Sequence, residues 1–193
     1  IELIKLYRKE LSLGTSLSIP ETNSLDLIYQ NLIDEDARHL MIFSEALEIE
    51  EMVVAEIKRF LEDVRRKPES KFVFLNNSRG KEDLNNIFYR LQVYAKEGYT
   101  LVMKNLDTIY PCLYDLLNQN YLASDEVDGP KGCYLFNDNT KHKVTVHKDF
   151  KCILLMERED SAEKNYDFEK KQQPPFLNRF EKHLVMFPDL IKD

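Results

Sequence analysis

Five short apolar runs, separated by segments of helical periodicity, constrain the fold of this 193-residue chain more than any other feature. Amphipathic patterns over 45–64, 82–97 and 112–121 follow the first three runs, and residues 133–146 have the pattern of a β-hairpin. Strands that alternate with helices form βαβ units. We therefore predict an α/β fold of three layers, with helices on both faces of a mainly parallel five-stranded sheet. The runs that form its strands are 38–43, 71–75, 99–103, 150–156 and 183–187.

The chain begins with two shorter helical patterns, at 1–11 and 25–32. Ser24 is the predicted N-cap of the second one, because a serine hydroxyl can accept a hydrogen bond from the first turn. We predict an N-terminal helical entry segment over residues 1–35, packed on an α/β core over residues 36–193. The sequence starts with isoleucine in mid-pattern, so we expect it to be a piece of a longer protein.

The charge and the cysteines narrow the possible partners and compartments. Lysine and arginine number 27 against 34 aspartate and glutamate residues, a net charge of −7 that disfavours nucleic acid as a partner. Three cysteines at wide, irregular spacing argue against a secreted disulfide framework and favour a cytoplasmic location. No apolar run reaches the roughly 18–20 residues that a membrane span requires. We expect no nucleic-acid partner and no membrane span.

The segment after the first predicted strand shows whether a nucleotide can be bound there. A phosphate-binding Walker A loop needs glycines that let backbone N–H groups surround the phosphates, a lysine for their charge and a hydroxyl for magnesium. Residues 44–51 read SEALEIEE, with no glycine, no lysine and four carboxylates. These carboxylates would repel a triphosphate. We therefore predict a core that lacks a Walker A loop and binds no nucleotide or metal cofactor itself.

Two residues keep an alternative open. Lys81 follows a glycine after the second strand, in the segment 76–81 (NNSRGK), and is the one candidate for contact with a phosphate. Asp107 follows the third strand, as the magnesium-binding acid of a Walker B strand does, although a second carboxylate is missing beside it. A divergent ATPase that uses Lys81 and Asp107 is therefore the alternative function, with a degenerate Walker B motif at Asp107.

Four possible zinc ligands lie within twenty residues of one another. Their spacing matches no paired-ligand pattern. One of them sits inside an apolar strand, where a free cysteine behaves as a small core residue. We predict no metal site from this group, which consists of Cys133, His142, His147 and Cys152.

The segment 174–187 reads PPFLNRFEKHLVMF, and together with the order of the predicted elements it resembles the last block of an AAA+ ATPase core. Clp-type unfoldases of that superfamily have a similar run that carries the arginine finger. The resemblance implies that Arg179 points in trans at the γ-phosphate of a neighbouring subunit or module, with Phe176 and Leu177 as its anchor. A salt bridge from Arg179 to Glu181 or another carboxylate is the alternative.

Nearly the whole chain, from about residue 24 to 187, is similar to one AAA+ module of the mysterin-like giant ring-finger ubiquitin ligases. The resemblance implies a non-catalytic module, a structural wedge in a single-chain ring, whose partners are the adjacent AAA+ modules of the same long chain. It also implies ATP and magnesium in neighbouring modules, and ubiquitin machinery reached through the parent protein. The similar blocks are 24–31, 37–40, 105–110, 113–121 and 176–183.

A free-standing protein-interaction domain is a third possibility. A sheet in which the third strand does not lie between the first and the fourth would favour it. The sequence does not decide whether the chain itself is an enzyme, whereas the resemblance implies a parent with ubiquitin-transfer and ATPase activity.

Overall fold

The computed structural model describes seven stretches of the chain: 23–44, 46–65, 71–77, 83–122, 129–137, 140–157 and 174–191. Their longer elements in chain order are α1 (Ser24–Ile33), β1 (His39–Ser44), α2 (Leu47–Arg65), β2 (Phe72–Asn76), α3 (Leu84–Glu97) and β3 (Thr100–Lys104). A 3-10 turn (Tyr110–Leu113) leads directly into α4 (Tyr114–Leu117). The remaining elements are β4 (Lys131–Asn137), β5 (Thr140–Val146), β6 (Lys151–Glu157), α5 (Pro174–Leu177), β7 (Phe180–Val185) and α6 (Phe187–Leu190).

Five strands form one parallel sheet in the order β2-β3-β6-β1-β7. The strands β4 and β5 form a separate antiparallel hairpin, inserted between β3 and β6. The predicted α/β class, the five-stranded parallel sheet and the hairpin are confirmed. The third and fourth predicted strands are β3 and β6. In the sheet β6 lies between β1 and β3, so β3 is not placed between β1 and β6. Taken alone, this order would have favoured a free-standing interaction domain.

Alternate residues of the central strands point to opposite faces of the sheet, as the period of two requires. On β1, Met41 packs in the cluster formed with α3, the 3-10 turn, α4 and the hairpin, whereas Leu40 and Ile42 pack in the cluster formed with α1 and α2. On β6, Leu154 belongs to the first cluster and Ile153 to the second. The sheet is therefore covered on both faces.

The N-cap of α1 is Asn23, not the predicted Ser24. The Asn23 side-chain oxygen accepts a hydrogen bond of 2.8 Å from the backbone N–H of Leu25, and Ser24 is the first helical residue. Asparagine caps as well as serine does, so the two were equivalent from sequence. The predicted helix at 1–11 lies outside the described residues.

Two predicted segments have different bounds in the structure. The pattern at 112–121 predicts one helix, but a 3-10 turn that begins at Tyr110 and the four-residue α4 replace it. The helical pattern stops early because Gln119 adopts a positive φ of 55°. The last strand was predicted at 183–187 and lies at Phe180–Val185, because pairing with β1 begins at Phe180. Among the described residues, no helix combines the length and the apolar character that crossing a bilayer requires.

Candidate functional site

Parallel strands place their carboxyl ends along one edge of the sheet, where ligands of α/β proteins commonly bind. At this carboxyl edge β1 ends at Ser44 and α2 begins at Leu47, which leaves residues 45 and 46 between them. A phosphate-binding loop needs a longer, glycine-rich connection at this point. The connection is therefore too short to surround a phosphate with backbone N–H groups.

A buried ion pair lies at the carboxyl edge. Lys104 is the last residue of β3, and its Nζ lies 2.5 Å from Oε2 of Glu50, in the first turn of α2. The side chains are only 10% and 4% exposed. A carboxylate in the first turn is also favoured by the positive end of the helix dipole. Glu50 thus neutralises the ammonium and lies where the helix dipole favours a negative charge.

The polarity of this pair is the reverse of that in a nucleotide site. In P-loop NTPases the lysine stands at the start of the helix and binds phosphate, while the acid at the end of the neighbouring strand holds magnesium. Here the helix contributes the carboxylate of Glu50 and the strand contributes the ammonium of Lys104. The Glu50 carboxylate would repel a phosphate at the start of the helix, and the Lys104 ammonium would repel a metal cation at the end of the strand.

Asp107 lies outside this pair. It is exposed, in the turn three residues beyond the end of β3, and its carboxylate acts on the buried hydroxyl of Tyr110. Burial and then the charge of Asp107 raise the pKa of Tyr110. The degenerate Walker B role of Asp107 stays a prediction. The other candidate of the alternative ATPase, Lys81, lies outside the described residues.

Arg179 lies at the opposite, amino edge of the sheet. It directly precedes β7, whose first residue, Phe180, pairs with His39 at the start of β1. Strands of five or six residues separate the two edges by about 17–20 Å. The guanidinium of Arg179 therefore lies far from the carboxyl edge of its own sheet.

Tyr114 holds the Arg179 guanidinium by a cation–π contact. The Cζ atom lies 4.2 Å from the ring centroid, well within the range of such contacts. Nε and Nη1 of Arg179 are shielded from solvent, and neither has a hydrogen-bond acceptor within the described part of the chain. A shielded donor without an acceptor costs about 1–3 kcal/mol. The guanidinium is therefore oriented on one face and unsatisfied along its edge.

Glu181 does not pair with Arg179, which had been the alternative interpretation. Its Oε2 accepts a hydrogen bond of 2.7 Å from Nδ2 of Asn31 on α1, and its Oε1 lies 2.8 Å from Nε2 of His183. The carboxylate therefore ties α1 to β7. The proposed salt bridge between Arg179 and Glu181 is not formed.

Phe176 anchors the turn that carries Arg179, as predicted. It is 3% exposed, and its ring lies 5.3 Å from both the Tyr110 and the Phe180 ring. The backbone N–H of Arg179 donates to the Phe176 carbonyl. This aromatic cluster fixes the backbone from which the guanidinium projects.

The four possible zinc ligands do not come together. Cys133 and Cys152 are fully enclosed in the apolar cluster, and burial raises the pKa of both thiols, that of Cys133 to about 12. The His142 ring packs edge-on against Phe88, and His147 accepts a hydrogen bond from a backbone N–H. No group of three potential metal ligands occurs in the described ranges of the chain.

His39 is a fully buried histidine that clamps three elements at the amino edge. Its Nδ1 accepts a hydrogen bond from the N–H of Cys152 on β6, so Nε2 carries the proton and donates to the Leu116 carbonyl of α4, 3.2 Å away. Burial and the nearby charge of Lys151 lower the pKa of His39 to about 3. The ring is neutral and acts as a structural tie.

Sequence reasoning missed the pair of Lys104 and Glu50. The available signal was a lysine that closes an otherwise apolar strand, beside a helix with two acidic residues in its first turn. It also missed Tyr114 as the support of Arg179, since nothing in their spacing indicates contact.

Together, the parallel sheet with helices on both faces and the inserted hairpin define an α/β domain with an AAA-like P-loop fold. The family described as the RNF213 AAA domain matches residues 29–191. The chain belongs to this family. The strand order is therefore one that an AAA domain adopts, and the criterion that would have assigned it to an interaction domain was wrong.

Similar proteins include E3 ubiquitin-protein ligase rnf213-beta of Danio rerio, which is 28% identical over 176 residues, 87% of this chain and 3% of that protein. E3 ubiquitin-protein ligase RNF213 of Mus musculus is 34% identical over 97 residues, and that of Homo sapiens is 31% identical over 96 residues. Each of these two matches covers 50% of this chain and 2% of the relative. The chain thus spans 2–3% of the length of these relatives. The predicted resemblance to an AAA+ module of a giant ubiquitin ligase is confirmed.

Proposed function

We propose that this chain is a non-catalytic AAA module, a pseudo-ATPase that serves as a structural wedge in a single-chain ring. The observation that carries the proposal is the buried ion pair between Lys104 and Glu50 at the carboxyl edge. The pair puts a carboxylate at the start of α2 and an ammonium at the end of β3, charges that would repel phosphate and magnesium respectively.

The energetics of this pair support the proposal. To accept Mg-ATP, the module would have to separate two charges that are almost fully buried. Leaving either one buried without its partner costs about 3–5 kcal/mol. Since about 1.4 kcal/mol is tenfold in affinity, this cost lowers nucleotide affinity by about two to four orders of magnitude. The short connection after β1 removes the backbone donors that could offset the cost.

We further propose that Arg179 acts in trans, as an arginine finger for ATP and magnesium held by a neighbouring module. Two features support this role. No described residue accepts a hydrogen bond from Nε or Nη1 of Arg179, so the guanidinium charge is not committed to an acceptor within the described part of the chain. The cation–π contact with Tyr114 fixes the plane of the guanidinium before any neighbour is present.

The parent, on this proposal, is a cytoplasmic ubiquitin ligase with AAA modules on either side of this one in the same chain. Ubiquitin machinery is reached through the parent, and nucleic acid is not a partner. The named relatives, of which this chain spans a small share, support this setting.

Calorimetric titration of the chain with Mg-ATP tests the non-catalytic role. We expect no saturable heat up to about 1 mM nucleotide, a concentration that detects binding free energies of about −4 kcal/mol or stronger. Lys81→Ala is the matched variant. Micromolar binding that disappears in Lys81→Ala would instead establish the divergent ATPase that uses Lys81 and Asp107.

The arginine finger is tested in the full-length parent protein. Arg179→Ala should lower the ATPase kcat about 10³-fold or more with little change in ATP affinity, because a finger stabilises transition-state charge. Lys182→Ala, an exposed residue of β7, is the control and should keep full activity. Equal activity of the two variants would refute the finger and return a free-standing interaction role to consideration.

A further inference from the structure

A cavity of about 230 Å³ opens at the amino edge of the sheet, between the end of α1, the end of α2 and the start of β6. Apolar side chains form much of its wall. Leu32, Leu61 and Phe150 are buried there, whereas Ile33 and Val64 are exposed at the rim. The cavity is distinct from both Arg179 and the pair of Lys104 and Glu50, which do not line it.

Lys151, the first residue of β6, lines this cavity and is 5% exposed. Its Nζ donates hydrogen bonds to the backbone carbonyls of Asp34, at 3.2 Å, and Ala37, at 3.0 Å. An ammonium has three N–H donors, so these two bonds leave one that no described residue accepts. No carboxylate of the described residues lies within 4.0 Å of Nζ.

The charge of Lys151 is therefore only partly compensated. A buried ammonium is normally paired with a carboxylate, because the loss of its hydration is costly. The two carbonyls beyond the end of α1 supply only partial negative charge. Burial lowers the pKa of Lys151, and the more distant carboxylates of Asp34 and Glu181 oppose that shift without cancelling it.

Three acidic residues line the cavity. The Asp34 carboxylate accepts a hydrogen bond from the backbone N–H of Asp36, and the other two carboxylates contact cationic or basic groups. Glu35 lies 3.7 Å from Nζ of Lys148, and Asp149 lies 3.8 Å from Nδ1 of His147. A further ammonium, that of Lys131, lies 5.3 Å from the ring of Tyr121. The cavity thus has apolar walls and a buried cation. No described carboxylate at its rim contacts that cation.

We propose that this cavity binds a carboxylate carried on a short apolar chain. The carboxylate accepts the remaining N–H of Lys151, and the apolar chain packs against Leu32, Leu61 and Phe150. A free short-chain carboxylic acid and a carboxyl group presented by another protein segment share this chemistry.

Amide chemical shifts of the isotope-labelled chain, recorded during titration with butyrate and with 1-butanol, test the proposal. Butyrate should cause saturable shifts centred on Leu61 and Lys151, with an affinity at least tenfold higher than that of butanol. Lys151→Met should lose at least tenfold in butyrate affinity, whereas Lys96→Met, an exposed lysine that does not line the cavity, should change it less than twofold. Equal binding of butyrate and butanol, or full butyrate binding by Lys151→Met, would overturn the proposal.

A second variant keeps the test valid if Lys151→Met does not fold. Leu61→Phe narrows the cavity and retains the ammonium, so it should also lose butyrate affinity; unchanged binding would place the ligand elsewhere and overturn the proposal. Acetylated dipeptides that end in a free carboxylate or in the matching amide distinguish the two sources. Tighter binding of the free-carboxylate peptide than of butyrate identifies a protein segment as the ligand, and weaker binding identifies a small acid.

Discussion

At the carboxyl edge of the sheet the Lys104 ammonium lies 2.5 Å from a buried carboxylate, whereas at the amino edge the Arg179 guanidinium has two shielded N–H groups without an acceptor in the described stretches. Lys151, also at the amino edge, is buried against neutral carbonyls. Among the described residues, the buried ammonium at the carboxyl edge has an internal counter-ion, whereas the guanidinium at the amino edge retains unsatisfied donors. The difference indicates that ligands and neighbours are to be sought at the amino edge, away from the usual nucleotide position.

Lys104→Met gives the largest expected effect and tests the buried ion pair at the carboxyl edge. It leaves the Glu50 carboxylate buried without its partner, so the free energy of unfolding should fall by about 3–5 kcal/mol. Urea denaturation measures this. The double variant Lys104→Met with Glu50→Leu removes both charges and should recover most of the loss. A loss below about 1 kcal/mol in the single variant would mean that the pair is not buried as described.

The pH dependence of stability probes the tie at His39. Its folded pKa of about 3 lies below the ordinary value of 6.5, so between these values the unfolded chain binds the proton and the folded chain does not. Its contribution to stability is therefore complete above pH 6.5 and is lost as the pH falls toward 3, by about 2 kcal/mol at pH 5. Denaturation at pH 7 and pH 5 measures it. His39→Gln should remove this part of the slope; an unchanged slope would contradict the assignment.

Gly98→Ala tests how tightly residues pack around the end of α3, at the amino edge. Gly98 ends α3 with φ of 73°, and a Cβ there would lie 2.6 Å from Nδ1 of His147. The left-handed backbone alone costs a residue with a Cβ about 1–2 kcal/mol. Thermal or urea unfolding should show at least this loss. Adding His147→Ala removes the two ring contacts, at 2.6 and 2.9 Å, and leaves the Cβ of residue 147 at 3.3 Å. The loss should therefore fall toward the backbone cost; full recovery would assign the whole effect to the ring.

Arg179→Met has the smallest expected effect and completes the comparison with Lys104. The guanidinium gains a cation–π contact with Tyr114 but leaves two donors unsatisfied, so its removal from the isolated chain should lower the free energy of unfolding by less than about 1 kcal/mol, or raise it. Tyr114→Leu is the companion variant and should behave similarly. A loss above about 2 kcal/mol for Arg179→Met would give the residue a structural role and weaken the proposed role in trans.

The fold was predictable because the strands of a parallel sheet, buried on both faces, are continuous apolar runs, as in LMIF and ILLM. The boundaries of the elements were less predictable. The positive φ at Gln119 and the pairing of Phe180 with β1 determine where α4 ends and β7 begins, and both are set by packing. The pair of Lys104 and Glu50 spans 54 residues of sequence. It exists because the first turn of α2 lies beside the end of β3, a contact that is set by the packing of the helix on the sheet.

On the proposed function, the reversed ion pair makes a nucleotide site hard to regain by descent. A single codon change that restored a carboxylate at position 104 would set two buried acids against each other, and one that restored a lysine at position 50 would do the same with two ammonium groups. Either intermediate would lose several of the roughly 5–15 kcal/mol that keep a domain folded. A nucleotide site could be regained without such an intermediate only by two coordinated substitutions, at positions 50 and 104.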